Sequence, residues 1–443
     1  MKAVSFLLEG ITLASFCAVL IGCILLQGSL VAALLIGLCI FLAYGRLKGF
    51  SFPALGGMCL SGIRSARNIL LNLVFIGTLT AVWRAAGTIP VIVSYASLLI
   101  RPNAFLVMTF LLCGGVSTLT GTALGTAATM GVICATMGRS LGVDIRLIGG
   151  AVLSGIFVGD RCSPVSTSAL LTAELTGTDI YRNIRGMLRT AFFPFLTTAA
   201  VYGIIGFVTS PGGEALDLRR IFSAEFRLLP VCVLPALVIL ALSAFRVPVK
   251  IAMLCSITAS LPLALFVQRI PAAALLRMVV FGFTAGDPQA AVLINGGGIL
   301  SMFRVFCIVC LSSAYAGIFR ETGLLDGETR LLRHVSERTN PYAAMFLTSI
   351  PASMIGCNQT LAVMLTHQLC SGLYKDRNAL ALDLENSAIL IAPLVPWSIA
   401  GGAPLSAIGA PHSAILFAFY LCLLPLNRLF GSFRAQRHKG GNL

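Results

Sequence analysis

Long apolar runs alternate with short polar stretches along almost the whole chain. Runs long enough to cross a bilayer begin near Ile11, Val31, Ile69, Ile89, Phe105, Leu147 and Met187, and again near Leu228, Ile251, Leu276, Val305, Ala343, Ala379 and Ala414. A helix satisfies its own backbone hydrogen bonds in lipid and needs about 20 residues to cross it. The pattern therefore predicts an all-α polytopic membrane protein with roughly 10 to 13 membrane segments, half-crossings included.

Composition excludes a water-soluble fold. The chain has 443 residues, of which 57% are hydrophobic and 11% charged, whereas soluble domains carry about 25% charged residues. The net charge is +15, but the basic residues are scattered over short connections, so no nucleic-acid surface is indicated. Basic residues follow the first two apolar runs and crowd the C-terminal tail. This bias predicts a multi-pass protein of a bacterial-type inner membrane with both termini in the cytoplasm.

The chain is expected to form one transporter domain, 1–443, made of two halves. The segment Ser210-Pro211-Gly212-Gly213-Glu214 interrupts the apolar pattern almost at the midpoint. Pro, Gly and charges cluster where a buried helix cannot continue. We therefore assign a first half to residues 1–209, a linker to about 210–225 and a second half to 226–443.

Each half contains two polar breaks inside apolar sequence. In the first half they cover residues 117–126 and 159–168, and in the second half residues 356–360 and 392–402. Matched breaks lie roughly 235 residues apart, and paired interrupted helices point to a binding site at the bilayer midplane. The pattern predicts two inverted-topology repeats with broken or re-entrant helices.

Asp160 is the leading candidate for coupling, within Gly159-Asp160-Arg161-Cys162-Ser163-Pro164. An acid at the bilayer centre costs at least ~2.5 kcal/mol, so it is retained for an ion or proton pathway or for an ion pair. A pair with the neighbouring Arg161 is the structural alternative. Glu174 and Glu385 are further candidates for proton coupling, although Glu174 is equally compatible with the water interface.

Hydroxyl and amide side chains concentrate at the same breaks. With exposed carbonyls they supply the oxygen ligands that hard cations prefer; single Ser and Thr residues also commonly bond between membrane helices. The candidate ligands of a substrate or ion are Asp160, Ser163, Ser166, Thr167, Thr120, Thr122, Asn358, Gln359, Thr360 and Ser398. Asp160 and Ser163 are the candidate ligands of a transported metal cation. We expect no cofactor beyond transported Na+ or H+.

Other function classes find little support. The chain has no phosphate-loop lysine pattern, no HExxH and no GxSxG elbow, so an enzyme is not expected. A passive channel needs rings of like residues, and the two halves are dissimilar.

The four breaks resemble signatures of the NhaC-type sodium/proton antiporter family. The segment 159–166 is similar to the family's GD(K/R)xSPLSDTT, and 120–126 resembles its TGTSxGT. In the second half, Asn358-Gln359 is similar to GDQ, and the segments 384–387 and 393–398 resemble LEDSG and SPLIPWN.

The resemblance implies a secondary active Na+/H+ antiporter that works by alternating access, with Asp160 binding a cation and a proton in turn. Thr167, Asn358 and Asn386 stand where the family carries acids, and Ser398 replaces an Asn. Na+- or H+-coupled transport of a small organic substrate, such as an amino acid or malate/lactate, therefore remains the alternative. The expected partners are membrane lipid and a monovalent cation or small organic substrate, with a homodimer as a further expectation.

Overall fold

A computed structural model describes residues 2–26, 28–96, 102–164, 166–209, 218–245, 247–322 and 340–440. Helices make up nearly all of the regular structure in these ranges. An isolated antiparallel bridge between Phe283 and Gly296 is the β-type pairing found in the described part. The predicted all-α fold is confirmed.

The helices follow one another with short connections. The first group is α1 (Lys2–Leu25), α2 (Leu30–Leu47), α3 (Phe52–Ser65), α4 (Arg67–Ala85), α5 (Thr88–Ala96), α6 (Phe105–Thr120), α7 (Ala123–Thr126) and α8 (Val132–Ser140). The second is α9 (Ile145–Cys162), α10 (Thr167–Thr176), α11 (Ile180–Val208), α12 (Leu218–Glu225), α13 (Leu234–Ala244), α14 (Val249–Pro262), α15 (Ala272–Phe281), α16 (Pro288–Ile294) and α17 (Phe303–Thr322). The third is α18 (Pro341–Gly356), α19 (Gln359–Cys370), α20 (Arg377–Asn386), α21 (Ala388–Ile391), α22 (Ile399–Ala407) and α23 (Phe419–Gly440).

Several of these helices are long and apolar enough to cross a bilayer. Six qualify among the described residues, and up to eight if each of two bent helix pairs counts as one span. One bent pair joins Arg377–Leu394 to Ile399–Ala407 at an angle of 56°, at the second Pro-centred break. The chain is a multi-pass membrane protein with broken helices. The roughly 10 to 13 segments expected from the sequence include half-crossings, and that number stays a prediction.

The proposed linker is only partly within the described residues. Positions 210–217 lie outside them, and Leu218–Glu225 forms α12. The division into halves and their inverted arrangement stay predictions.

The contact between α6 and α9 positions the central polar break. A Cβ atom at Gly159 would lie 2.0 Å from the Ser117 carbonyl carbon, and one at Gly155 would lie 2.6 Å from the Phe110 carbonyl oxygen. Ser117 donates its hydroxyl to the Ile156 carbonyl across the same interface. Small residues allow membrane helices to approach this closely. The backbone just before Asp160 is therefore held directly against α6.

Candidate functional site

The break after Asp160 is a helix end followed immediately by a new helix start. The helix α9 ends at Cys162, and Ser163 has extended backbone angles. Ser166 caps α10, where its hydroxyl oxygen accepts from the Ala169 N–H at 3.4 Å. The hydroxyls of Ser166 and Ser168 both donate to the Asp160 carbonyl, Ser168 at 2.7 Å. Hydroxyl groups thus replace the helical partners that this carbonyl loses at the break.

The Asp160 carboxylate is the point where three of the four breaks meet. Its side chain is buried, with 5% of the residue exposed. Its Oδ1 atom accepts from the Ala123 N–H at 3.3 Å. Its Oδ2 atom accepts from Gln359 Nε2 at 3.0 Å. It also lies 2.9 Å from the Ser168 hydroxyl, whose single proton is shared between Oδ2 and the Asp160 carbonyl. One carboxylate therefore joins the first-half breaks to a second-half break.

The first break presents backbone rather than side chains to Asp160. Gly121 ends α6 with a left-handed φ of 65°, and Thr122 caps α7 by accepting from the Gly125 N–H at 3.2 Å. The Thr120 hydroxyl lies 3.0 Å from that of Thr126. Both candidate threonine hydroxyls are engaged locally, and the N–H of Ala123 at the start of α7 bonds Asp160 instead.

The third break, in the second half, has the same backbone arrangement: a helix that ends at a residue with positive φ, followed by a residue that caps the next helix. Cys357 ends α18 with a φ of 54°, although it is not a glycine. Asn358 caps α19, accepting from the Leu361 N–H at 2.8 Å and donating to the Gly356 carbonyl at 3.0 Å. Its φ of −148° is close to the −147° of Thr122. The first and third breaks therefore share the same local backbone geometry at the residue that starts the second helix.

The fourth break contacts the third rather than Asp160. Ser398 caps α22 and accepts from the Ala400 N–H at 3.3 Å. The next residue, Ile399, donates its N–H to the Cys357 carbonyl at 2.8 Å. Ser398 is buried beside Arg304 and His412. The Ile399 backbone therefore ties the fourth break to the third, and Ser398 caps its own helix.

Arg161 points away from Asp160, contrary to the ion-pair alternative. Its side chain is fully buried and donates to the carbonyls of Glu385 and Met187, each at 3.1 Å. It also donates to Thr190 Oγ1 at 2.8 Å and to Asn386 Oδ1 at 2.5 Å. The ion pairs found among the described residues join other side chains. The guanidinium therefore fastens α9 to α11 and α20.

The two candidate proton-coupling glutamates have opposite surroundings. Glu385 is completely buried, and neither carboxylate oxygen has a hydrogen-bond partner among the described residues. The charges of Arg161 and Asp160 both act on it. Glu174 lies on the exposed side of α10, near its C-terminal end. Only Glu385 is placed in the polar interior.

The candidate ligands thus separate into two groups. Asp160, Ser166 and Gln359 come together, with Ser163 buried in the same break. The residues bonded locally or exposed away from the carboxylate are Thr120, Thr122, Thr167, Asn358, Thr360, Ser398 and Glu174. Thr167 is exposed on α10, whereas the adjacent Ser168 faces Asp160.

Sequence reasoning missed Ser168, the Ala123 N–H and the Ile389 carbonyl, which accepts from Gln359 at 3.3 Å. The one available signal was the cap at Ser166, because a side chain in the first turn after a cap can fold back onto the break. Backbone groups such as those of Ala123 and Ile389 cannot be identified from the pattern of side chains.

A cavity of about 520 Å³ lies beside the third break, between α3, α4, α17 and α19. Its polar lining residues are Ser65, Ser313, Asn358, Thr360 and Gln368. The other lining residues are apolar or glycine, and none is charged. Asn358 and Thr360 flank Gln359, so the cavity reaches the helix turn that contacts Asp160.

The donor set around Asp160 suits a weakly held monovalent cation better than a resident transition metal. The described residues contain no group of three or more His, Cys, Asp or Glu side chains that could hold a metal ion. One carboxylate, serine hydroxyls and freed carbonyls supply oxygen atoms of low total charge, beside the N–H donors of Ala123 and Gln359. The assignment of Asp160 and Ser163 as cation ligands stays a prediction.

The chain is similar in sequence to a known family and to several known antiporters. The sequence profile of the Na+/H+ antiporter family matches residues 4–176 and 155–428. The chain is 28% identical over 410 residues to the Na+/H+ antiporter NhaC of Alkalihalophilus pseudofirmus, covering 90% of this chain and 89% of that protein. It is 26% identical over 379 residues to the malate-2H+/Na+-lactate antiporter of Bacillus subtilis, covering 83% and 81%.

A further relative is the arginine/ornithine antiporter ArcD of Halobacterium salinarum. It is 24% identical over 365 residues, which cover 78% of this chain and 74% of that protein. The family profile spans nearly the whole chain, including all four breaks. The chain belongs to the Na+/H+ antiporter family.

Proposed function

We propose that this protein exchanges Na+ for H+ across the inner membrane by alternating access, with Asp160 as the shared binding group and both termini in the cytoplasm. The observation that carries the proposal is the Asp160 carboxylate itself. It is buried among broken helices and held by Ala123, Ser168 and Gln359, and no basic side chain bonds to it within the described residues.

A buried carboxylate with no counter-charge is costly unless something neutralises it. A proton and a monovalent cation can each do so, but not both at the same oxygens. Competition for one site makes the uptake of one ion depend on release of the other. The hydroxyls of Ser166 and Ser168 are positioned to supply oxygen ligands once they turn from donating to accepting.

Glu385 extends this proposal as a second proton-binding group. Its unpartnered carboxylate is buried close to the charges of Arg161 and Asp160. A buried carboxylate without a bonded counter-charge is costly, and binding a proton removes that cost. We expect Glu385→Gln to reduce proton-driven exchange at least tenfold, while Glu174→Gln retains at least half of it. Equal activity of the two variants in reconstituted vesicles would remove Glu385 from this role.

The direct test is transport by purified protein in vesicles with an imposed pH gradient. Na+, Li+ and K+ are supplied in turn, and cation uptake is followed together with internal pH. Asp160→Asn should abolish coupled exchange. Asp144→Asn is the matched control, because Asp144 lies exposed at the other end of α9 and Asn can still cap the helix. Full exchange by Asp160→Asn would refute the proposal.

The cavity beside Asn358 supports a second candidate, transport of a small organic substrate. Its volume of about 520 Å³ is large enough for a small metabolite. Relatives are named as a malate/lactate and an arginine/ornithine antiporter. Malate, lactate, arginine and ornithine should be tested by counterflow, since only a carrier accelerates labelled uptake against unlabelled substrate inside. Acceleration by one of them, with no cation-driven pH change, would favour this candidate.

A further inference from the structure

A second cavity, of about 430 Å³, is lined by arginines and lies apart from Asp160. It is formed by the N-terminal part of α11, the start of α20 and α23. Its charged lining residues are Arg182, Arg185, Arg189, Arg428 and Asp376.

The guanidinium groups of this cavity are only partly compensated by acidic side chains, Asp383 beside Arg428 and Asp376 near Arg182. Arg428 pairs with Asp383 at 2.8 Å. Asp376 is occupied as the cap of α20, accepting from the Asn378 N–H at 2.9 Å. Arg182, Arg185 and Arg189 are exposed, and none forms an ion pair within 4.0 Å among the described residues. Converging arginines of this kind match the geometry of a phosphate group.

The face of α11 that carries two of these arginines continues as an apolar surface. Arg185, Arg189, Phe192 and Leu196 are spaced by four, three and four residues, so they lie along one side of the helix. Phe192 is 68% exposed and Leu196 is 50% exposed. An occupant of this surface must carry an anionic head and an apolar tail.

We propose that this cavity binds the phosphate headgroup of an anionic phospholipid, with an acyl chain lying along Phe192 and Leu196. Basic pockets between membrane helices are suited to such headgroups. The walls of the cavity also hold Arg161, through Met187 and Thr190 of α11 and Asn386 of α20. A lipid bound here would therefore join the two helices that receive this guanidinium, and should raise the thermal stability of the protein.

The test measures lipid binding and thermal unfolding on the purified full-length protein in detergent. Phosphatidylglycerol, phosphatidylcholine and inorganic phosphate are added separately, and bound lipid is counted by native mass spectrometry. The variant R182Q/R185Q/R189Q should bind phosphatidylglycerol about a hundredfold more weakly, the order expected for three basic residues at a lipid surface. The matched control R67Q/R277Q/R434Q removes three exposed arginines elsewhere and should bind as the original protein does.

Three outcomes would overturn the proposal: equal loss in both triple variants, equal binding of phosphatidylcholine, or equal stabilisation by inorganic phosphate. The last would indicate a site for a soluble anion. Leu196→Ser tests the contact with the acyl chain without changing the charge of the protein. Because Leu196 is exposed, this variant should fold normally, and its result does not depend on whether the triple arginine variant folds. It should weaken phosphatidylglycerol binding several-fold, and unchanged binding would contradict the acyl-chain placement.

Discussion

The amide nitrogen of Gln359 lies 3.0 Å from Oδ2 of Asp160, across 199 residues of chain. The same nitrogen donates to the Ile389 carbonyl at 3.3 Å. A carbonyl oxygen only accepts hydrogen bonds, so this second bond fixes which end of the amide faces Asp160. An N–H donor cannot ligate a cation. In this arrangement Gln359 therefore occupies one acceptor position of Asp160 Oδ2, for which a cation would compete.

Replacing Gln359 should make cation binding tighter. Gln359→Met keeps the length of the side chain but removes the competing donor. A hydrogen bond to a charged group contributes about 1.5–3 kcal/mol. We expect the apparent KM for the transported cation to fall about tenfold in vesicle assays. A higher KM would mean that Gln359 acts as a ligand and not as a competitor.

The close contact at Gly159 should tolerate no side chain. Gly159→Ala would place a Cβ atom 2.0 Å from the Ser117 carbonyl carbon, so α6 and α9 must separate. Overpacking of this kind costs about 1–3 kcal/mol. The variant should unfold at lower temperature in detergent and lose transport. Gly203→Ala is the control, because nothing lies within 4 Å of its Cβ position on α11. Equal melting temperatures for the two variants would contradict the packing argument.

Arg161 should stabilise the protein through the geometry of its guanidinium hydrogen bonds as well as through its charge. Arg161→Lys keeps the charge but cannot reach the carbonyls of Glu385 and Met187 and the Asn386 amide together. Each lost hydrogen bond to a charged group costs about 1.5–3 kcal/mol.

Thermal unfolding followed by circular dichroism measures this loss. Arg146→Gln serves as the surface control, since its pair with Asp144 is exposed and worth at most about 1 kcal/mol. A melting temperature for Arg161→Lys equal to that of the control would contradict the anchoring role.

The ion pair between Arg146 and Asp144 at the start of α9 predicts a small pH dependence of stability. The side-chain hydrogen bond from Arg146 holds the pKa of Asp144 below its ordinary value. A carboxyl whose folded pKa is depressed stabilises the protein above its unfolded pKa of about 4, and this contribution is lost as pH falls through the folded pKa. The melting-temperature difference between the original protein and Asp144→Asn should therefore be largest near neutral pH and vanish in acid. A constant difference between pH 3 and pH 7 would contradict this assignment.

The sequence predicted the helices and the breaks more successfully than the contacts between them. The breaks at Asp160 and Asn358 were predicted because Gly, Pro and polar residues interrupt apolar runs, and local conformation follows from these residue types. Residue type alone does not say that Ser168, and not Thr167, faces the carboxylate from the first turn of α10. The Ala123 N–H could not be predicted from side chains at all.

Residue chemistry along the chain is enough to specify an all-helical membrane protein with interrupted helices and an acid at one interruption. These properties depend on the cost of exposing backbone and charge to lipid, which acts residue by residue. The contact between Gln359 and Asp160, and the direction of Arg161 toward α11 and α20, follow from how the helices pack against one another. Helix rotation and separation set those contacts, and they depend on close packing at positions such as Gly155 and Gly159, which no single segment specifies.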